Sequence, residues 1–164
     1  MEEKGQEFRF VDAEPQVFEV SIVVGDLEKA LEQFRSFFGM TPYIRMDFVE
    51  EGEGDYFLRG RRVPATRVKL ACFRAGPIRI ELLEPVAEES IYMEFLRKKG
   101  PGVQHIGCRV SDVDKELAEL KERGMEVTQR MDVAGITYAY LNTEDLAGVA
   151  FELMQSEGGL PMEE

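Results

Sequence analysis

The chain carries an internal repeat, and this repeat constrains its fold more strongly than any other feature of the sequence. Residues 17–40, VFEVSIVVGDLEKALEQFRSFFGM, and residues 103–125, VQHIGCRVSDVDKELAELKERGM, share one order of features: an alternating apolar stretch, an aspartate, an amphipathic stretch and Gly-Met. Asp26 and Asp112 lie 86 residues apart, and the alternating stretches before them align at the same spacing without a gap. Such a duplication predicts two structurally equivalent halves.

Each copy is predicted to begin with a strand and a helix. Alternation of apolar and polar residues indicates the strand, and Asp26 or Asp112 is placed to accept hydrogen bonds from the first free N–H groups of the helix. Gly39 and Gly124 follow the helices where a left-handed residue is usual. Three further strands are predicted in each half, over residues 41–48, 67–74 and 77–83 and over residues 126–131, 136–141 and 149–154.

These elements predict an α+β fold in which two tandem βαβββ modules form a curved, partly closed mixed sheet with the helices outside. The modules span residues 17–85 and 103–155 of a single domain, residues 1–164. Residues 86–102 are expected to join them as a helical linker. Residues 50–62, rich in glycine and charge, are predicted to be a mobile loop and a candidate lid.

Composition argues against several classes of partner. The formal charge of -12 disfavours nucleic acid and anionic membranes, whose binding requires clustered Lys and Arg. The apolar runs are far shorter than the roughly 20 residues that span a bilayer, so a cytoplasmic protein without a membrane span is expected. Cys72 and Cys108 lie within apolar strands and are expected to be free and buried.

Strand parity brings four polar residues to one face of the sheet. Successive side chains of a strand point to opposite faces, and the apolar residues of each strand are assigned to the helix side. The inward positions then include Glu19, Glu81, His105 and Glu152, one on the first and one on the last strand of each module. His105 is the only histidine of the chain.

This set of side chains predicts a metal centre. Three carboxylates among apolar residues would repel one another, and buried charges are unfavourable unless they are paired, hydrogen-bonded or bound to a cation. Carboxylates and one imidazole are ordinary ligands for a divalent ion, here Mn, Co, Fe, Ni, Zn or Mg. The competing interpretation is an exposed Glu19, a hydrogen-bonded core histidine, and two glutamates paired with Arg79 or Arg109.

The same residues resemble the vicinal oxygen chelate superfamily, and within it the methylmalonyl-CoA epimerases. The resemblance covers about residues 17–155 and rests on DLEKA followed by a helix that ends in FGM, on QHIGCRVSDVDKEL, and on ELLEPVAEESIYMEFLRKKGPGVQHI and FELMQ. It implies a divalent metal site whose ligands come from the first and last strands of each module. Those ligands would be Glu19, Glu81, His105 and Glu152.

Two departures from the epimerase pattern bear on the chemistry. The first ligand is usually His in that family, whereas here it is Glu19, which makes the site more anionic. A second catalytic base is expected just before the strand that begins at Arg67, but the chain reads VPATRV there. The loop carboxylates Glu50, Glu51 and Glu53 are the alternatives for this second base.

The resemblance implies an enzyme that abstracts a proton beside a thioester or keto carbonyl, with Glu152 as the base. Arg67 and Arg109 are the candidates for binding a small-molecule substrate, of which an acyl-CoA is one type. Two alternatives stay open, a glyoxalase I-like lyase or isomerase and a non-catalytic small-molecule-binding dimer. A homodimer is expected on the resemblance alone.

Overall fold

One mixed sheet forms most of the computed structural model, which describes residues 16–48, 55–64 and 67–156. Within these ranges the chain forms ten strands and four helices. The strands are β1 (Gln16–Val23), β2 (Ile44–Phe48), β3 (Asp55–Leu58), β4 (Arg61–Arg62), β5 (Val68–Ala75), β6 (Ile78–Pro85), β7 (Gly102–Arg109), β8 (Val127–Val133), β9 (Ile136–Leu141) and β10 (Ala150–Ser156). The helices are α1 (Leu27–Phe38), α2 (Ile91–Lys99), α3 (Val113–Glu122) and α4 (Glu144–Ala147).

The order of the strands shows the internal repeat directly. The sheet runs β2-β5-β6-β1-β7-β10-β9-β8-β3-β4, so β1, β6, β5 and β2 of the first half match β7, β10, β9 and β8 of the second. The first strand of each half pairs in parallel with the last strand of that half, and the two first strands pair antiparallel with each other. The predicted α+β fold with a curved mixed sheet is confirmed, and the ten strands do not close into a barrel.

The prediction of a mobile loop over residues 50–62 is partly wrong. Residues 55–62 form a hairpin of β3 and β4, and β3 pairs antiparallel with β8 of the second half. The side chains alternate between exposed and buried along β3, with Tyr56 and Leu58 buried, and this apolar face explains why the hairpin extends the sheet. Residues 50–54 lie outside the described residues.

Helices α1 and α3 cover the outer face of the sheet at equivalent places. Asp26 accepts a hydrogen bond from the N–H of Lys29, and Asp112 accepts one from the N–H of Lys115. The apolar face of α1 packs on β5 and β6, and that of α3 packs on β9 and β10. Gly39 adopts a left-handed conformation after α1, with φ of 66°. The predicted caps and end signals are thus observed.

The linker helix α2 packs differently from α1 and α3. Its buried residues Ile91, Tyr92 and Phe95 join the hydrophobic cluster that includes Tyr56, Leu58 and other residues of the inner side of the sheet. Helix α2 therefore closes part of the concave side. The short helix α4 was not predicted. Cys72 and Cys108 are free and buried as expected, and no described helix is long and apolar enough to cross a membrane.

Leu82 and Leu153 each lie at the centre of one of the two outer clusters, and neither is exposed to solvent. We expect Leu82→Ala and Leu153→Ala each to lower the free energy of unfolding by about 2–5 kcal/mol, because truncation leaves a cavity. Chemical denaturation measures this. The matched control is Leu146→Ala, at a leucine that is 82% exposed, and equal stability of all three variants would contradict the described packing.

Candidate metal centre

Four polar side chains meet at the centre of the sheet, one from each of the neighbouring strands β6, β1, β7 and β10. They are Glu81, Glu19, His105 and Glu152, and all four are buried. The Nε2 atom of His105 lies 3.5 Å from Glu19 Oε1, 3.8 Å from Glu152 Oε2 and 4.0 Å from Glu81 Oε2. The residues that strand parity placed on one face are thus brought together, while their role as ligands stays a prediction.

A β-bulge immediately precedes each of the two first-strand residues of this cluster. The register between β1 and β7 shifts at Phe18 and again at Gln104, and neither residue has a partner on the opposite strand. The two bulges lie 86 residues apart and so belong to the repeat. Phe18 was expected on the helix side, and that expectation is wrong, because a bulge reorients the strand and the ring lies against Arg79 and Arg109.

Two of the three carboxylates are held by neighbours from the same half of the chain. The guanidinium group of Arg79 donates a hydrogen bond from Nε to Glu19. The hydroxyl of Ser21 donates to Glu81 over 2.7 Å. The competing interpretation of an exposed Glu19 is therefore wrong, and Arg79 pairs with Glu19, the glutamate that this interpretation had placed in solvent.

The third carboxylate, Glu152, has one oxygen atom without a partner. Tyr140 hydrogen-bonds to Glu152, and the hydroxyl of Tyr92 donates to that of Tyr140 over 2.6 Å. Over the described part of the chain, Glu152 Oε2 is the buried side-chain polar atom that lacks a hydrogen bond. A Cβ atom added at Gly107 would lie 2.9 Å from this oxygen and 3.0 Å from Cβ of Glu19, so the glycine leaves the space in which both carboxylates sit.

The four groups perturb one another strongly. Burial and the charge of Glu19 raise the pKa of Glu81 to about 7. Burial also raises the pKa of Glu152, and the charge of Glu19 adds to this. Burial opposes ionisation of Glu19, but the hydrogen bond with His105 and the charge of Arg79 outweigh it, so its pKa is lowered. Burial acts to lower the pKa of His105, and the three carboxylates outweigh this and raise it.

The donor set fits a divalent cation. The ligand atoms of Glu19, Glu81 and His105 all lie within 4.8 Å of one another. Two atoms that bind one ion at roughly 2.0–2.2 Å lie roughly 3–4 Å apart, which matches the distances around Nε2. A cation would also give a partner to Glu152 Oε2 and would separate the mutually repelling carboxylates. The cluster is therefore a candidate site for a divalent metal.

Gln104 orients the imidazole, and the sequence did not single this residue out for that role. Its Nε2 lies 3.3 Å from a carboxylate oxygen of Glu144, which can only accept, so its Oε1 points towards His105. That oxygen lies 2.7 Å from Nδ1 of His105. Nδ1 must then carry a proton, so in the neutral imidazole it is Nε2, facing the carboxylates, that holds the lone pair a metal ligand needs. Simple alternation along β7 would place Gln104 on the face opposite to His105, and the sequence does not reveal the bulge that changes this.

A cavity of about 330 Å³ opens over the four residues. Its base holds the cluster and Arg79, and most of its walls are apolar. The wall residues are Ile44, Met46, Tyr56, Val68, Leu70, Cys72, Leu83, Tyr92, Met131, Val133, Ala134, Ile136, Tyr138 and Tyr140. This size suits a small organic group.

The other predicted site residues do not join this cavity. Arg67 and Arg109 are not among the residues that line it. The arginines of the β3–β4 hairpin are paired with carboxylates, Arg59 with Glu94, Arg61 with Glu89 and Arg62 with Asp55. The proposed substitute bases Glu50, Glu51 and Glu53 lie outside the described residues, as do residues 65–66 of the expected second-base position.

Comparison with protein families gives a match over most of the chain. The model for the Glyoxalase/Bleomycin resistance protein/Dioxygenase superfamily matches residues 18–140. This range contains Glu19, Glu81 and His105.

Individual relatives include proteins of this superfamily with named activities. The chain is 30% identical over 114 residues to the uncharacterized protein YqjC of Bacillus subtilis. The aligned region covers 68% of this chain and 81% of that protein. It is 30% identical over 141 residues to the ethylmalonyl-CoA/methylmalonyl-CoA epimerase of Cereibacter sphaeroides, covering 83% and 94% of the two chains. The crystal structure of methylmalonyl-CoA epimerase from Mycobacterium tuberculosis superposes with a TM-score of 0.62 at 25% identity, over 85% of this chain and 87% of that one.

The hydrogen bond from His105 to Gln104 can be tested without any ligand, because His105 is the only histidine. Long-range ¹H–¹⁵N NMR, recorded where the imidazole is neutral, should show the Nδ1–H tautomer in the unmodified protein. We expect Gln104→Leu to produce a population with the proton on Nε2, since the acceptor that holds the Nδ1 proton is removed. The exposed variant Gln33→Leu is the control. An unchanged tautomer in Gln104→Leu would contradict the orienting role.

Proposed function

Because this chain belongs to the glyoxalase/bleomycin resistance protein/dioxygenase superfamily, we propose that it is a metal-dependent, epimerase-like enzyme that removes a proton beside a thioester or keto carbonyl. The observation that carries the proposal is the buried cluster of three carboxylates and one imidazole at the base of a cavity. The epimerase of Cereibacter sphaeroides, by its name, acts on ethylmalonyl-CoA and methylmalonyl-CoA. We infer the same type of reaction for this chain.

Glu19, Glu81, His105 and Glu152 would hold the metal ion. When bound, a divalent ion supplies Lewis acidity to a carbonyl oxygen and so makes the neighbouring C–H bond more acidic. Gln104 keeps His105 in the tautomer that can serve as a ligand. The apolar walls exclude water from the reacting carbon, which strengthens the electrostatic interactions at the base of the cavity.

Glu152 is the proposed base. Its carboxylate borders the cavity, while Tyr140 holds the side chain in place. Its raised pKa brings the carboxylate closer to the acidity that suits proton transfer near neutral pH. The proton of the substrate passes to this carboxylate, and the electron pair of the C–H bond moves towards the carbonyl oxygen.

One base is sufficient for proton exchange, whereas inversion of a carbon centre requires proton delivery to both faces. Among the described residues that line the cavity, the carboxylates are Glu19, Glu81 and Glu152, all within the candidate metal centre. We therefore propose proton exchange as the activity to measure first. A homodimer and a cytoplasmic location remain predictions.

A non-catalytic protein that binds a small molecule is the second candidate. The apolar walls of the cavity favour it, because they would bind an apolar compound without any chemistry. The ion-binding test and the exchange test below separate the two functions.

We expect the purified protein, incubated with Mn²⁺ or Co²⁺ and desalted, to retain about one ion per chain. Elemental analysis measures the content. Glu81→Ala and His105→Ala should each lose most of it, because each removes one of the proposed ligands. Glu122→Ala, which removes an exposed carboxylate from α3, is the control. Unchanged metal content in both cluster variants would refute the assignment of the site.

The metal-loaded protein should catalyse exchange of solvent deuterium into the carbon between the carboxylate and the thioester of methylmalonyl-CoA. Mass spectrometry follows the exchange against a buffer blank. We expect Glu152→Gln to slow the exchange by about 10²–10⁴-fold, because the amide cannot accept the proton. Metal content is measured on the same samples, with Glu122→Gln as control. Exchange no faster than in buffer, both for this thioester and for one whose carboxylate is replaced by an alkyl group, would remove the epimerase-like function.

A further inference from the structure

The described residues of the cavity offer little positive charge to a second acidic group of a substrate. Arg79 and His105 are the basic side chains among the described residues that line it. The guanidinium group of Arg79 is engaged with Glu19, and the imidazole of His105 lies among the three carboxylates. In the sequence, residues 49–54 and 65–66 read VEEGEG and AT and contain no Lys, Arg or His.

The candidate metal centre itself is poor in positive charge. Three ionised carboxylates and a divalent ion sum to about −1, which the single charge of Arg79 offsets. A substrate carboxylate that approached the ion would become the fourth carboxylate within a few ångströms of it. Like charges at such distances repel one another, whereas a neutral carbonyl oxygen meets no such repulsion.

The walls favour an apolar substituent. Apolar side chains from three strands of the first half and two strands of the second face the cavity. Each methylene group buried against them favours binding by roughly fourfold. Two of these side chains belong to Met46 and Met131, whose flexible thioethers adapt to different shapes. The wall residues that carry this argument are Ile44, Met46, Val68, Leu70, Leu83, Met131, Val133 and Ile136.

We propose that the substrate presents one neutral carbonyl group to this site, next to a carbon that bears an apolar substituent, in place of the carboxylate of a malonyl thioester. This inference rests on the proposed function for the reaction, but its binding part does not depend on turnover. The reaction moves only a proton. The C–H bond beside the carbonyl breaks, the proton goes to the Glu152 carboxylate, and a proton or deuteron returns to the same carbon from that carboxylate after exchange with solvent.

Two thioesters of similar size test the proposal, methylmalonyl-CoA and 2-methylbutyryl-CoA. In 2-methylbutyryl-CoA an ethyl group takes the place of the carboxylate of methylmalonyl-CoA. Deuterium uptake at the carbon beside the thioester is measured for each with the metal-loaded protein. Each rate is divided by the rate of the same thioester in buffer, which corrects for intrinsic acidity. We expect kcat/KM to favour 2-methylbutyryl-CoA by at least about tenfold, the equivalent of one pKa unit of charge repulsion.

Binding gives a second readout that needs no turnover. Methyl NMR signals of Met46 and Met131, assigned with Met→Leu variants, should shift on titration with either thioester, with a Kd at least about tenfold lower for 2-methylbutyryl-CoA. Met46 is 42% exposed at the wall, so it tolerates a longer side chain. Met46→Arg should reverse the preference towards methylmalonyl-CoA, while Met46→Gln, which makes the wall more polar but adds no charge, should weaken the preference without reversing it.

The outcomes separate the inference from the proposed function. If neither thioester exchanges deuterium, the proposed reaction fails, and the binding preference alone decides the inference. If methylmalonyl-CoA exchanges faster and binds more tightly in the unmodified protein, the inference is overturned while the reaction stands. Equal binding of the two thioesters overturns the inference as well.

Discussion

The antiparallel pairing of β1 with β7 is the contact on which the rest of the structure depends. It joins the two halves of the repeat along a full strand and places Glu19 and His105 on neighbouring strands. The last strand of each half adds in parallel outside this pair and brings Glu81 and Glu152 to the same place. The candidate site therefore exists only because the halves are joined through these strands, and neither half contains it alone.

Burying three carboxylates beside one imidazole is unfavourable, and the chain offsets this with a specific set of polar neighbours. Arg79, Ser21 and Tyr140 each contact one carboxylate, and Gln104 contacts the imidazole. Most of these partners come from strands that also carry the cluster, so the duplicated sheet supplies both the acidic groups and their support. One oxygen of Glu152 has no hydrogen-bond partner, and a bound cation would provide one contact to it.

The sequence predicted the repeat, the helix caps and the inward face of the central strands, because these follow from periodicity and from local hydrogen bonding. It did not predict the β3–β4 hairpin, since glycine and charge between residues 50 and 62 obscure the short alternation around Tyr56. It also misplaced Phe18 and Gln104, because a β-bulge reverses parity locally and leaves no mark in composition. The site was thus predictable in its charged residues and not in the neutral residue that orients its histidine.

The hairpin of β3 and β4 has a consequence for how the chain reaches its native state. Asp55 of β3 pairs with Asp132 of β8, so β3 can pair only after more than seventy further residues have been synthesised. Until then, the buried faces of Tyr56 and Leu58 have no sheet edge to cover them. Contacts between such distant parts of a chain slow folding, because the intervening loop must close first. The β3–β4 hairpin of the first half therefore depends on the second half for its strand partner during biosynthesis. A ribosome-bound fragment that ends before β8 exposes an unpaired apolar hairpin that is prone to aggregation.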